Sequence, residues 1–255
     1  MTAIVDMGMN DKMRMHHLIK HCCDLIEHTC KSMHWTQLCV AEAMFSLNAF
    51  VRHEEETDRI NVQTILDSPP QILAAAAILV RFRIHRNAHV LEQNTQELNR
   101  LIDYCFEHKL TKKQRATRAA LDKATQMHKS IGNNFPTLVY EELQRMLHWS
   151  MFDPLTTNDD QRREQKYLHE RVLHLCQMYA NDTFRCNVCV RYNARDIACA
   201  CLLLVLQQFN YTHQQCMVTE QAHVYFQKQF ELNGNTLLRI VSDLRLYYEA
   251  VAPSL

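Results

Sequence analysis

Cysteines and histidines are the residues of this chain whose types and spacing could support metal chemistry. Cys186 and Cys189 have the spacing of half a structural zinc site, and Cys199 with Cys201 could supply the other half. A structural zinc site needs four converging ligands, usually from turns. Cys199 and Cys201 instead lie two apart on a predicted buried helix, so they point about 200° away from each other. We interpret these cysteines as buried thiols and expect no metal ligand.

Catalytic motifs are the second kind of chemistry to consider. His17 and His21 lie four apart on one helix face, but no His-Glu-x-x-His arrangement accompanies them. The sequence also has no glycine-rich phosphate loop and no Gly-x-Ser-x-Gly nucleophile elbow. We therefore expect no catalytic residue and no cofactor, and we predict that the protein is not an enzyme.

Composition favours long helices. The 255 residues are 47% hydrophobic and include only three glycines and five prolines, which predicts an all-α fold with a substantial core. The formal charge of zero gives the whole chain no electrostatic footprint for nucleic acid. No run reaches the ~18 apolar residues of a membrane span. Eleven cysteines, mostly within helical patterns, are typical of reduced thiols. We expect a nuclear or cytoplasmic protein that has no membrane partner.

Two predicted buried helices resemble each other. Residues 73–83 (LAAAAILVRFR) and 197–207 (IACACLLLVLQ) share small residues followed by bulky aliphatic ones. Small side chains let neighbouring helices approach closely. The similarity indicates a repeat of two lobes, although any two buried helices rich in alanine and leucine look alike. The polar segment 154–166 is the predicted linker, which gives an N-terminal lobe over 1–153 and a C-terminal lobe over 154–255. The first lobe includes a leading helix and a basic insertion near 108–130.

Longer segments carry a resemblance to the cyclin family. The segment 182–211 resembles the second cyclin lobe, most closely that of cyclin Q, through Arg191, the aromatic Tyr192 and the small residues near Ala198. The closing helix at 239–250 is similar to that of cyclin Q, and residues 25–51 follow the pattern of the first cyclin box. The resemblance implies a cyclin fold with two lobes of about five helices each. It also implies a regulatory subunit that binds and activates a cyclin-dependent protein kinase, with the partner of cyclin Q as the leading candidate.

The resemblance also implies a site. Cyclins use a lysine at the end of the first central helix, with a glutamate on a later helix, to grip the kinase. Arg83 stands at the lysine position, and the glutamate position falls on Tyr140, next to Glu141. The residues around the lysine position depart from the family pattern and make the local charge strongly positive. The predicted partner-binding residues are Arg81, Phe82, Arg83, Arg86, Tyr140 and Glu141.

Two interpretations of the divergent segment remain. The kinase surface is either retuned to a particular partner or lost, which would leave a kinase-free cyclin-fold adaptor or scaffold in transcription or chromosome-associated complexes. Such an adaptor could use the basic stretch 109–129, the one place where nucleic acid or an acidic partner could bind. Aromatic residues do not interleave that stretch, which favours a solvated face. The peptide-docking patch of the mitotic cyclins is also missing, because Glu42 takes the place of its tryptophan.

Overall fold

A computed structural model describes residues 9–57, 59–85, 95–106, 113–130, 135–150, 159–212 and 233–251. Within these ranges the chain forms ten α-helices, one short 3-10 helix at Asn187–Val190 and no strand, so the predicted all-α class is confirmed. The α-helices are α1 (Met9–Ser32), α2 (Gln37–Thr57), α3 (Arg59–Leu66), α4 (Pro70–His85), α5 (Thr95–Cys105), α6 (Lys113–Ser130), α7 (Phe135–Ser150), α8 (Asp159–Arg185), α9 (Ala194–Thr212) and α10 (Gly234–Val251).

The chain divides into two compact units, Met1–Asn134 and Phe135–Leu255. Unit 1 holds α1 to α6, and unit 2 holds α7 to α10. The sequence had placed residues 135–150 in the first lobe, with a boundary between 153 and 154. In the structure this helix, α7, packs on α8 and α9 of unit 2.

Unit 1 is built around α4. Every residue from Ile72 to Val80 is buried, and α4 packs against α1, α2, α5 and α6. Two prolines stand at the start of the helix, where their missing N–H groups would have no helical partner. Pro70 is its first residue, and the Pro69 carbonyl accepts the N–H groups of Ile72 and Leu73. Ser68 does not cap α4, because its hydroxyl donates back to the Thr64 carbonyl at 2.6 Å.

Helix α6 lies within the segment that the sequence predicted to be a basic insertion. One of its faces is buried against α4, with Ala116, Ala120, Ala124 and Met127 all inside the core. Alanine at this spacing lets two helix axes approach closely. The helix is therefore part of the core of unit 1, and Arg115 and Arg118 are exposed on its other faces.

Helix α1 ends in a Schellman turn. The Trp35 N–H donates to the Cys30 carbonyl at 2.9 Å, and the His34 N–H donates to the Lys31 carbonyl at 3.0 Å. His34 has a φ of 56°, the left-handed conformation that glycine usually supplies at this position. The turn reverses the chain so that α2 can pack along α1.

Unit 2 is built around α9. Its residues from Ile197 to Leu206 are buried, and it packs against α7, α8 and α10. Asn193 caps its start, since the Asn193 side-chain oxygen accepts the Asp196 N–H at 2.8 Å. The Asn193 amide donates in return to the Asp196 carboxylate at 2.6 Å. This reciprocal pair fixes where the central helix of the unit begins.

Aromatic and acidic side chains tie α8 to α10. The Tyr248 hydroxyl donates to the Asp182 carboxylate at 2.6 Å, and Tyr179 meets Tyr248 edge to face at 5.9 Å. Burial raises the pKa of both Asp182 and Tyr248 above their ordinary values. These contacts hold the last helix of the unit against α8.

Candidate partner-binding site

The end of α4 carries three of the six residues predicted to contact a kinase: Arg81, Phe82 and Arg83. The nine buried residues from Ile72 to Val80 hold this helix inside unit 1, and Arg81 is the first residue beyond them. The helix continues for one more turn and ends at His85. Any contact made by Arg83 therefore starts from a turn that is anchored on one side by the core.

Arg81 turns into unit 1 and forms a buried ion pair. Its Nε lies 2.6 Å from the Glu42 carboxylate on α2. The Arg81 side chain is only 14% exposed and that of Glu42 only 5%. Arg81 also lies close enough to Cys30 on α1 to oppose part of the rise that burial causes in the pKa of that thiol. The side chain thus reaches into the space where α1, α2 and α4 meet.

Sequence reasoning noted Glu42 only as a replacement for a docking tryptophan. Its neighbours in the sequence, the apolar residues Ala41 and Ala43, could have indicated that Glu42 lies on a buried part of α2. A carboxylate on the buried side of a helix needs a cationic or hydrogen-bonding partner. The sequence did not show that this partner lies 39 positions away.

Phe82, Arg83 and Arg86 are the other predicted contact residues that belong to unit 1. Phe82 and Arg83 belong to α4 by backbone, but their side chains lie outside the described residues. Arg86 lies wholly outside them. Their assignment as partner contacts stays a prediction.

Tyr140 and Glu141 lie on α7, in unit 2, whereas the other predicted contact residues belong to unit 1. The Tyr140 hydroxyl donates to the side-chain oxygen of Asn181 on α8, and its ring meets Phe184 edge to face at 6.2 Å. Tyr140 therefore joins α7 to α8. Glu141 is exposed.

The basic stretch is only partly available for binding. Arg115 and Arg118 are exposed on α6. Lys123 instead lies over the Phe50 ring, 5.3 Å from its centroid. Burial lowers the pKa of Lys123, and the nearby Glu54 opposes that change. Lys123 is thus used to pack α6 against α2, which leaves Arg115 and Arg118 as the described cations on the surface of this stretch.

Three of the four cysteines considered as zinc ligands are buried, and Cys186 is half-buried. Burial raises the pKa of Cys186 to about 12 and that of Cys199 to about 12. The Cys186 thiol, one residue beyond α8, donates to the Asp182 carbonyl in the last turn of that helix at 3.3 Å. Among the described residues, no group of three or more His, Cys, Asp or Glu side chains could hold a metal ion.

Residues that carry the resemblance to cyclins meet in unit 2. Arg191 and Tyr192 follow the 3-10 helix, and Asp243 lies on α10 within the segment that is similar to the closing helix of cyclin Q. The Asp243 carboxylate lies 3.1 Å from the Arg191 guanidinium and accepts the Tyr192 hydroxyl at 3.0 Å. Sequence reasoning matched the two segments separately and did not predict this contact.

Comparison with known proteins adds no family assignment. No protein-family model matches the chain, and no curated protein matches its sequence. Of the helices in the described ranges, none is both long and apolar enough to cross a membrane.

Proposed function

We propose that this chain is a cyclin-fold regulatory subunit that binds and activates a cyclin-dependent protein kinase, with the partner of cyclin Q as the leading candidate. The observation that carries the proposal is the pair of helices at the centres of the two units. These are the two segments whose sequences resemble each other, and each is buried along its central run.

Both central helices pack against several other helices of their own unit. In unit 1, α4 packs against four other helices, and in unit 2, α9 packs against all three others that the structure describes. Small residues lie on both, from Ala74 to Ala77 on α4 and from Ala198 to Cys201 on α9, and all are fully buried. A cyclin fold also has two successive helical lobes, each with a buried central helix, and this likeness supports the proposal. The described helices number six in unit 1 and four in unit 2, against the predicted five or so in each lobe.

The contact of Arg191 and Tyr192 with Asp243 gives independent support. These residues lie about fifty positions apart, in two segments that each resemble cyclin Q. Chance similarity of two separate segments would not require their matched residues to touch. The contact joins the start of α9 to α10, so a common fold gives a reason for both matches.

Such a subunit would act by binding alone. It would contact the movable helix of the kinase more favourably in the active position than in the inactive one, and so shift the population towards the active state. Moving a kinase from about 1% to about 99% active requires a difference in binding free energy of about 5.5 kcal/mol between the two states. No side chain of the subunit needs to take part in the chemical step.

The test is recovery of a kinase from cells. The tagged full chain is purified and its partners are identified by mass spectrometry, and a cyclin-dependent kinase at near-stoichiometric yield supports the proposal. Arg83→Glu should then lose the kinase, because it reverses the charge at the lysine position of the family. Arg100→Glu is the matched control, since Arg100 is exposed on α5 outside the predicted site. Undiminished recovery with Arg83→Glu would contradict the placement of the site.

Activation is tested separately with purified components. The kinase recovered in this way should phosphorylate a peptide substrate faster when the wild-type chain is added, and Arg83→Glu should add nothing. If the kinase binds but its activity does not rise, the function of the chain is that of a scaffold.

The kinase-free adaptor remains the alternative, and exposed Arg115 and Arg118 on α6 favour it. Deleting the basic stretch would not test it, because α6 packs on α4 and its loss would remove part of the core. The double variant Arg115→Glu/Arg118→Glu changes only exposed charges. The adaptor would be favoured if the wild-type chain recovers partners that include no kinase and the double variant loses those partners.

A further inference from the structure

We infer that Arg81 is a positioning residue, which acts through Glu42 to fix the last turn of α4 and does not itself contact the kinase. This inference rests on the proposed function. It differs from the sequence-based assignment of Arg81 to the contact surface, and it adds Glu42, a residue of α2, to the requirements of the site.

Burial is the first argument. The Arg81 side chain is 14% exposed and its partner carboxylate 5%, and Nε lies 2.6 Å from the carboxylate oxygen. By contrast, the ion pair of Arg14 with Asp67 joins α1 to the turn that follows α3 at 3.8 Å, with side chains that are 47% and 63% exposed. A side chain enclosed like that of Arg81 has little surface left for a partner protein.

The location of the pair is the second argument. The apolar residues of α4 pack the helix against its neighbours up to Val80. The pair of Arg81 with Glu42 extends this packing by one residue, because displacing either side chain would leave a charge without its partner in the core. The contact thus holds α4 against α2, one residue before the turn that carries Phe82 and Arg83.

Kinase binding should depend on this arrangement through preorganisation. A contact turn that is correctly placed in only a fraction of molecules binds with its affinity reduced by that fraction. If removal of the Arg81 charge leaves the last turn correctly placed in a tenth of the molecules, kinase affinity falls about tenfold.

The experiment separates positioning from direct contact. The variants are Arg81→Met, Glu42→Leu and the double variant Glu42→Leu/Arg81→Met, each compared with wild type in thermal unfolding and in affinity for the recovered kinase. Each single variant leaves one buried charge without its partner, so Tm should fall by about 10 °C or more. The double variant replaces the whole pair with apolar side chains of similar size, which is often neutral for stability.

For a positioning residue, the double variant should recover both Tm and kinase affinity, the latter to within about threefold of wild type. A double variant that recovers Tm but still does not bind the kinase would show that Arg81 touches the kinase directly, and would overturn the inference. Single variants with wild-type Tm would overturn it as well, because the pair would then hold nothing in place. Arg14→Met is the control at the exposed pair, and it should change neither quantity appreciably.

Failure of the proposed function gives a different result. If wild type recovers no kinase, the proposed function and the positioning role both fall. The Tm values of the same four chains then still show whether the pair fixes α4. If wild type binds the kinase and the double variant does not, only the positioning role falls.

Discussion

Enlarging one alanine of a central helix tests the packing on which the fold depends. Ala76 is fully buried in the middle of α4, and Ala200 is fully buried in α9. Ala76→Leu adds three carbon atoms to a face that has neighbouring helices against it. We expect this variant to destabilise unit 1, and Ala200→Leu to destabilise unit 2 in the same way.

The magnitude follows from two opposing terms. Burying three more carbons would stabilise the chain by about 2 kcal/mol if space existed for them. Protein interiors have almost no voids of that size, so the helices must move apart or side chains must leave their preferred rotamers. Measured insertions into well-packed cores give a net loss of about 1–3 kcal/mol, and that is the loss expected for Ala76→Leu.

Equilibrium urea unfolding, followed by far-ultraviolet circular dichroism, measures this loss as a lower midpoint at an unchanged m-value. Ala119→Leu is the matched control, because Ala119 is exposed on α6 and its change should stay within about 0.5 kcal/mol of wild type. A wild-type midpoint for Ala76→Leu would refute the reasoning, since it would reveal free space beside the central helix. An equal loss in Ala119→Leu would assign the effect to something other than burial.

Three further predictions concern local features. His34→Gly should stabilise unit 1 by about 0.5–1 kcal/mol in urea unfolding, because glycine adopts the positive φ at that position without strain, whereas His34→Ala should bring no gain. Asn193→Ala should lower the free energy of unfolding by about 1 kcal/mol through loss of the helix cap, whereas Asn193→Ser should retain most of that stability. Equal losses in the two variants would contradict the capping role. Burial raises the pKa of Asp182 above its ordinary 3.8, so the folded chain retains a proton that the unfolded chain loses, and stability falls as pH rises from 3.8 through the folded pKa. The free energy of unfolding of Asp182→Asn, relative to wild type, should therefore increase over that range, and a constant difference across pH would refute this.

Helix class and the identity of the two central helices could be predicted from sequence because both depend on local patterns. Few glycines and prolines favour helices throughout, and runs such as Ala74 to Ala77 indicate burial on all sides. The place of α7 could not be predicted in the same way. Its spacing of Val139, Leu143 and Met146 shows which face is buried, but not that the face lies in unit 2.

The candidate site was harder to predict than the core. A charged residue such as Arg81 looks the same in sequence whether it faces a partner or a buried carboxylate. The pairing with Glu42 depends on how α2 and α4 are brought together, which is a tertiary property. The same limit applies to Lys123, which the sequence grouped with a solvated basic face and which in fact covers the Phe50 ring.

The buried cysteines allow local opening of each unit to be measured by thiol alkylation. The described free cysteines are divided evenly, five in unit 1 and five in unit 2. Burial raises the pKa of Cys30 and Cys176 to about 12 in each case, so neither thiol supplies the thiolate that alkylating reagents attack. Alkylation rates, resolved by peptide mass spectrometry, should therefore report how often each unit opens, separately and without an added label.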